Sequence, residues 1–447
     1  MKARTLILLS LLQCALAHGQ WWTGWSRQTQ LALCLYLQGD SLLLYSPLQS
    51  RDPIPVSEWN LRNDTLRIAC ASIGFKATLA RQDSLWQGTW RQGLLREAIT
   101  FRPSDTIFQL RRPQTPPYPY RFREETLVAD YVDSHGDSIH LEGTLALPQG
   151  DGPFPALLLV SGSGQQNRDE ELFQHKPFLV LADYLAAHGI ATLRYDDRGV
   201  GASRGPLEKA TTLIFSEDAE AMFGVLLEHR LVDHRWTGIG GHSEGGAIAP
   251  LVAARNRGAA FVVMLAGQGE RGLEVLAQQN RDLFRARGVS LPLCEVRSRC
   301  MRRLLELPAG SDLKAYQAII QEYTEKLTPA QADSIELKRG MAYTLKQQLE
   351  GVWMREFLRI DPADYLPQVT VPLLALQGGK DCQVSAERNL PAIQRLKPDA
   401  VCREFPGLNH LFQHCRTGSP DEYIQIEETF APEAMDAISS FIKSLPR

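Results

Sequence analysis

The sequence predicts an α/β protein: a mostly parallel eight-stranded sheet flanked by helices, with an inserted helical cap and a small N-terminal all-β domain. Three observations carry that expectation. Beyond residue 122, apolar runs alternate with helical segments, as they do where parallel strands are covered on both faces. Residues 20–112 read in period two instead. Residues 270–367, polar and patterned as helix, interrupt the alternation between two consecutive strands.

The first stretch is expected to be a leader rather than part of the fold. Lys2 and Arg4 precede an apolar run, and Ala15-Leu16-Ala17 offers small residues at −3 and −1. This is the pattern of a secretory signal peptide, with cleavage after Ala17 or near Gly19, and it implies a secreted or periplasmic protein. The apolar run is too short to remain as a membrane span, so no stable membrane insertion is expected after cleavage. Gln13, large where a lipoprotein signal has a small residue, argues against a lipid anchor on Cys14. Eight cysteines in 447 residues are too few for a disulfide framework, and loss of Cys14 leaves an odd seven, so at least one thiol stays unpaired.

In residues 20–112, Leu31, Leu33, Leu35 and Leu37 alternate with smaller or polar residues, and Leu66, Ile68 and Cys70 do likewise. Gly39-Asp40, Asn63-Asp64 and Gln82-Asp83-Ser84 supply the turns of an antiparallel β domain. The proline-rich segment 113–121 reads as an extended linker. Strands are then expected at 127–132, 139–147, 155–161, 190–195, 236–241 and 260–266 in a first part of the α/β core, residues 122–269. Two more, at 371–377 and 400–405, fall in a second part, residues 368–447. Helices are expected at 176–188, 212–230 and 244–256. Within the inserted segment, Leu313, Tyr316, Ile320, Tyr323 and Leu327 recur at helical spacing.

The chemistry is carried by Gly241-His242-Ser243-Glu244-Gly245, a G-x-S-x-G motif that follows one expected strand and opens one expected helix. In that setting a sharp turn exposes the serine hydroxyl, and the glycines relieve crowding around it. A nucleophilic serine needs a histidine base and an orienting carboxylate, which follow it in the order acid, then histidine, on a scaffold of this kind. Only His410 and His414 come late enough. His410 directly follows the last strand through Pro406-Gly407-Leu408-Asn409, and is preferred on position. Of the aspartates after Ser243, Asp381 alone sits just past a short apolar strand, at the carboxyl end of the sheet where such sites form. Backbone N–H groups of Glu244 and of Ser163, with Gly164 as the alternative, are expected to form an oxyanion hole.

Other motifs point elsewhere less well. Tyr195-Asp196-Asp197-Arg198-Gly199-Val200-Gly201 lacks the third glycine and the acidic residue of a dinucleotide site, and reads as structural, with an Asp–Arg pairing bracing the site. Cys294 and Cys300 are six apart, with no Cys-x-x-Cys or His-Glu-x-x-His, so no metal and no cofactor are expected. A net charge of −3 offers nothing that draws the chain to nucleic acid.

Together, Ser161-Gly162-Ser163-Gly164, Asn167-Arg168-Asp169, Tyr195-Asp196-Asp197-Arg198-Gly199, Gly241-His242-Ser243-Glu244-Gly245-Gly246 and Gly407-Leu408-Asn409-His410-Leu411-Phe412 resemble secreted bacterial α/β-hydrolases, the esterases and serine-aminopeptidase-like hydrolases. The N-terminal region, with Ser46-Pro47-Leu48-Gln49 and Gly88-Thr89-Trp90-Arg91-Gln92-Gly93, is similar to the β domain of such proteins. The resemblance implies an α/β-hydrolase fold and the triad Ser243, Asp381 and His410. Gln165-Gln166-Asn167 departs from relatives, which tend to carry a proline and an acidic residue there. The expected activity is hydrolysis of small carboxylic esters through an acyl-enzyme, the partner being a small-molecule ester. Trp353, Met354 and Phe357 are candidate pocket-lining residues in the cap. Peptide hydrolysis by the same triad is the alternative, with Glu244 among the acids that could hold a free amine. A catalytically inert binding module is a third reading, which a complete Ser, Asp and His set opposes.

Overall fold

A computed structural model describes residues 19–446, apart from 30, 50–52 and 94; apart from Gly19, the expected leader at 1–19 lies outside the described residues. The chain divides into two units, one of residues up to Arg111 together with Leu172–Gln174, the other of Arg112–Glu171 and His175 onward.

The first unit is all antiparallel. Its strands are β1 (Gln20–Ser26), β2 (Leu31–Gln38), β3 (Ser41–Tyr45), β4 (Glu58–Arg62), β5 (Thr65–Cys70), β6 (Phe75–Gln82), β7 (Leu85–Gln92) and β8 (Leu95–Ser104). They lie in the order β3-β2-β1-β8-β7-β6-β5-β4. Period-two burial follows from one face being covered: Leu66, Ile68 and Cys70 on β5 and Phe75, Ala77 and Leu79 on β6 point into one core with Trp86, Trp90 and Phe101. The turn residues Asn63 and Asp64 both take positive φ (45° and 56°), as a two-residue hairpin turn requires.

The second unit contains all eight expected strands. They are β9 (Arg123–Val132), β10 (Ser138–Leu147), β11 (Phe154–Val160), β12 (Ala191–Tyr195), β13 (Val232–His242), β14 (Val262–Leu265), β15 (Leu373–Gly378) and β16 (Val401–Phe405). Their order is β16-β15-β14-β13-β11-β12-β10-β9. From β12 to β16 the pairs are parallel; β10 runs antiparallel to both β9 and β12. This is the α/β-hydrolase fold.

The apolar runs are explained by two buried faces. Ala156, Leu158 and Val160 on β11 join one core with helices α2 (Thr212–Leu227) and α3 (Glu244–Arg255), through Met222, Leu226, Ile248 and Val252. Leu157 and Leu159 point the other way, into a core with α1 (Pro177–Ala187) and, at the chain's end, α11 (Pro432–Ser444), through Phe178, Leu181, Ile438 and Ile442. The strand order reverses between β11 and β13, which leaves a crevice at their carboxyl ends.

Between β14 and β15 lie α4 (Gly272–Ala286), α5 (Leu291–Leu305), α6 (Leu313–Thr324), α7 (Pro329–Ser334), α8 (Ala342–Leu349) and α9 (Val352–Phe357); α10 (Ala386–Leu396) follows β15. The inserted helices build a core of their own, with Phe284, Cys294, Cys300, Leu304, Tyr316, Ile320 and Leu345 buried together. Tyr316 and Ile320 are fully buried, while Leu313, Tyr323 and Leu327 pack around the edge.

The segment expected to be a linker differs from that expectation. Gln114 accepts from the N–H groups of Thr429 (2.5 Å) and Phe430 (3.0 Å) and donates to the Phe430 carbonyl (2.7 Å), while Tyr120 stacks on Phe122. Prolines suppress helix here, but side chains at the intervening positions dock the extended chain onto the second unit. All seven described cysteines are free thiols. No described helix is long and apolar enough to cross a membrane.

Candidate active site

Ser243 lies between the end of β13 and the start of α3, with φ +56° and ψ −116°. Such backbone is held only by its surroundings. Here Ser243 N–H donates to the Leu265 carbonyl on the neighbouring strand (2.8 Å). A Cβ at Gly241 would come within 2.3 Å of the Gly245 carbonyl oxygen, and one at Gly245 within 2.1 Å of that of Val160. The two glycines of the motif are therefore spaces that neighbouring backbone fills. Ser243 is half-buried, and its Oγ has no hydrogen-bond partner among the described residues.

Asp381 and His410 arrive from the next two strand ends. Asp381 Oδ2 lies 2.7 Å from His410 Nδ1, and Asp381 Oδ1 accepts from the N–H groups of Gln383 (2.7 Å) and Val384 (2.9 Å). Both side chains are buried. Buried Asn409 shapes the loop around His410, its Oδ1 accepting from Leu411 N–H (3.0 Å) and Gln413 N–H (2.9 Å). His414 makes other contacts: its side chain is 58% exposed, with Nδ1 on Glu428 (2.9 Å) and Nε2 on Glu433 (3.1 Å). The serine turn and the His410 loop meet through His242, whose Nε2 is 2.9 Å from the His410 carbonyl and whose ring centroid is 4.7 Å from that of His410.

The loop after β11 lies against the same turn. A Cβ at Gly162 would stand 3.2 Å from that of Ser243. The Gly162 N–H is already taken by Glu170 Oε1 (2.6 Å). The N–H groups of Ser163 and Glu244 have no acceptor among the described residues. The loop is pinned by Asp197, which accepts from Ser161 Oγ (2.8 Å) and Gln166 N–H (3.0 Å). Burial pushes the Asp197 carboxyl up to about 8.

The Asp–Arg pairing expected within 195–201 is made with other elements instead. Arg198 is fully buried between Asp133 (2.8 Å) and Asp218 (2.8 Å), while Asp196 takes Arg168 (2.6 Å). Adjacent residues on an extended turn point apart, so their partners come from the turn after β9, from α2 and from the loop after β11.

Glu244, the residue after the serine, is buried; its Oε1 accepts from Thr212 Oγ1 (2.6 Å) and from Trp353 Nε1 (2.8 Å) on the inserted α9. Burial pushes its carboxyl up to about 7. Trp353 also stacks on Phe357 one turn away, centroids 5.1 Å apart, and Met354 packs against the insertion's own core. Asp133, His135 and Asp137 cluster closely enough to ligate a cation, but Asp133 is committed to Arg198 and Asp137 to Lys209 (2.8 Å).

Motif reasoning did not single out Glu170, Asn409 or Asp197 as site residues. Each acts through a bond to a residue distant in the chain or to backbone, which leaves no local pattern; Glu170 and His242 are 72 residues apart.

Residues 176–414, more than half of the chain, match the family model described as serine aminopeptidase, S33. A curated relative, Esterase EstD of Thermotoga maritima, is 27% identical over 273 residues, 61% of this chain. The chain spans only 58% of that relative's length. Solved structures include Est1E of Butyrivibrio proteoclasticus, bound to ferulic acid: 19% identical, TM-score 0.40, covering 70% of this chain and 97% of that one. A proline iminopeptidase from Mycobacterium smegmatis is 16% identical with TM-score 0.42, covering 71% of this chain and 98% of that one.

Proposed function

The chain belongs to the serine aminopeptidase (S33) family of α/β-hydrolases, and from that premise we propose that it cleaves small carboxylic esters through an acyl-enzyme on Ser243, with His410 as base and Asp381 orienting it. The observation that carries this reading is the 2.7 Å bond from His410 Nδ1 to a buried Asp381 whose other oxygen is held by two amides, on a loop whose His410 carbonyl is bonded by His242, the residue before Ser243.

Bonded to Asp381, Nδ1 keeps its proton, so Nε2 is the nitrogen left to accept one. His410 takes the Ser243 proton as Oγ attacks the ester carbonyl. The N–H groups of Ser163 and Glu244 receive the developing oxyanion. Collapse expels the alcohol, which takes the proton from His410. Water, deprotonated by the same histidine, then releases the acid and restores Ser243. Apart from the ester and that water, every group these steps use is a residue of the chain. The inserted helices supply the pocket roof in this reading, and Trp353 links them to the residue after the nucleophile.

Peptide hydrolysis by the same groups is the second reading, favoured by the family's description. Esters are preferred for two reasons. The Thermotoga relative is named an esterase, and Glu244, which could have held a substrate amine, is buried and occupied by Thr212 and Trp353. An ester's alkoxide also leaves more readily than an amide nitrogen, so fewer binding groups suffice. The test is parallel turnover of p-nitrophenyl esters of graded chain length and of aminoacyl-anilides. Faster turnover of the anilides at matched concentration replaces the ester reading with the peptidase one.

Export belongs to the same proposal. Expression of the full chain should yield a mature protein beginning near residue 18 or 20 in the periplasmic or secreted fraction; an intact N-terminus would reject it.

A further inference from the structure

We propose that Glu170 and His242 are positioning residues for the reaction: together they hold one proton in a buried bridge that fixes the amide loop and the base loop to the turn carrying Ser243. The inference rests on the Ser243, Asp381 and His410 reading and adds two residues to it.

Three contacts carry the inference. Glu170 Oε1 accepts from Gly162 N–H at 2.6 Å and faces His242 Nδ1 at 2.9 Å, while His242 Nε2 faces the His410 carbonyl at 2.9 Å. Each ring nitrogen therefore confronts an oxygen. A carbonyl can only accept, so Nε2 must carry a proton. The contact at Nδ1 then closes only if a second proton lies between the ring and Glu170. Burial makes that proton obligatory. Glu170 and His242 are 6% exposed each, Glu170 Oε2 has no partner, and His242 is the one cationic side chain paired with Glu170 among the described residues. A carboxylate left unpaired in such a place is strongly unfavourable. The groups that face His242 are Glu170, the carbonyl and ring of His410, Asp381 and the Phe412 ring; the carboxylates raise its proton affinity against the opposing effect of burial.

The bridge has two consequences. By occupying the Gly162 N–H, Glu170 takes that amide away from the oxyanion and leaves the role to the next amides of the loop, Ser163 or its alternative Gly164. By holding the His410 carbonyl, His242 fixes the backbone from which the base projects. Neither residue touches the reacting atoms. Their effect falls on the transition state, where small displacements of donor and base are costly, and not on ground-state binding.

Glu170→Gln is nearly isosteric, yet its neutral amide can neither balance a cationic His242 nor hold the shared proton. We expect kcat on p-nitrophenyl acetate to fall by about 10- to 100-fold with KM changed less than about threefold, and the thermal midpoint lowered only modestly. His242→Gln removes the shared proton, and with it the positive end of the bridge, from beside the His410 ring (4.7 Å between centroids). The acid limb of its pH–rate profile should move upward by about half a unit or more. Both variants are first labelled with a fluorophosphonate and the modified peptide identified. Label on Ser243 with unchanged kcat in Glu170→Gln, or with an unmoved limb in His242→Gln, overturns the positioning role alone. Wild-type label on a residue other than Ser243 overturns the reading on which it rests. Should Glu170→Gln fail to fold, the His242→Gln limb decides.

Discussion

Ser243 combines a positive-φ backbone with a hydroxyl that has no partner among the described residues, so its removal changes chemistry without disturbing a bond seen there. Ser243→Ala should lower turnover by about 10³-fold or more while the thermal melt stays close to wild type. Activity near wild type would exclude Ser243 as nucleophile. His410→Ala should be similarly damaging, Asp381→Asn somewhat less, and His414→Ala nearly silent, because His414 is tied to surface carboxylates. A lethal His414→Ala would reassign the base. Glu244 adds a pH effect. Its carboxyl is raised from 4.5 to about 7 in the folded chain. Between those values the native state therefore binds more protons than the unfolded one, and stability falls as pH rises through the window. Glu244→Gln keeps an oxygen for Thr212 and Trp353 but cannot ionise. Its unfolding free energy, from denaturant titrations, should fall less than wild type's between pH 5 and 8, the difference amounting to at most about 3 kcal/mol. Parallel pH curves would show that Glu244 is not the titrating group. At this scale the sequence reveals residues that a motif or a strand end marks, such as Ser243, Asp381 and His410. It conceals Glu170 and Asp197, whose meaning comes from amides and rings brought close only by folding.

The strands of the second sheet were legible because each is covered on both faces, which forces the unbroken apolar runs from Ala156 to Val160 and from Val262 to Leu265. The first sheet was legible by the opposite signal, one covered face and alternation. Residues 113–121 misled, because prolines and glutamine announce extended backbone and say nothing of whether it is docked. Three hydrogen bonds from one glutamine side chain decide that. Cleavage after Gln114 would keep that residue with the wrong piece. A chain beginning at Arg112 keeps Gln114, Tyr120 and every group placed in the reaction, and should still hydrolyse a small soluble ester. Complete loss of activity in a folded, soluble 112–447 fragment would show that the first unit helps build the pocket.

Across the whole molecule, the seven described thiols are withheld from their own chemistry. Burial raises every one of them, Cys300 and Cys382 to about 12. Nucleophilic attack on a disulfide needs the thiolate, which is then below about one per cent of each at neutral pH. Ellman's reagent should react with the native protein over hours and with all seven within minutes in denaturant; rapid reaction of the native chain would show an accessible thiolate. The folded chain is in this way a poor substrate for oxidants and for disulfide exchange, although its cysteines are unpaired. What protects it is the fold itself, so the thiols are open to attack only until the chain has folded. Under the export proposed above, the rate of folding would set the yield of correctly unpaired protein.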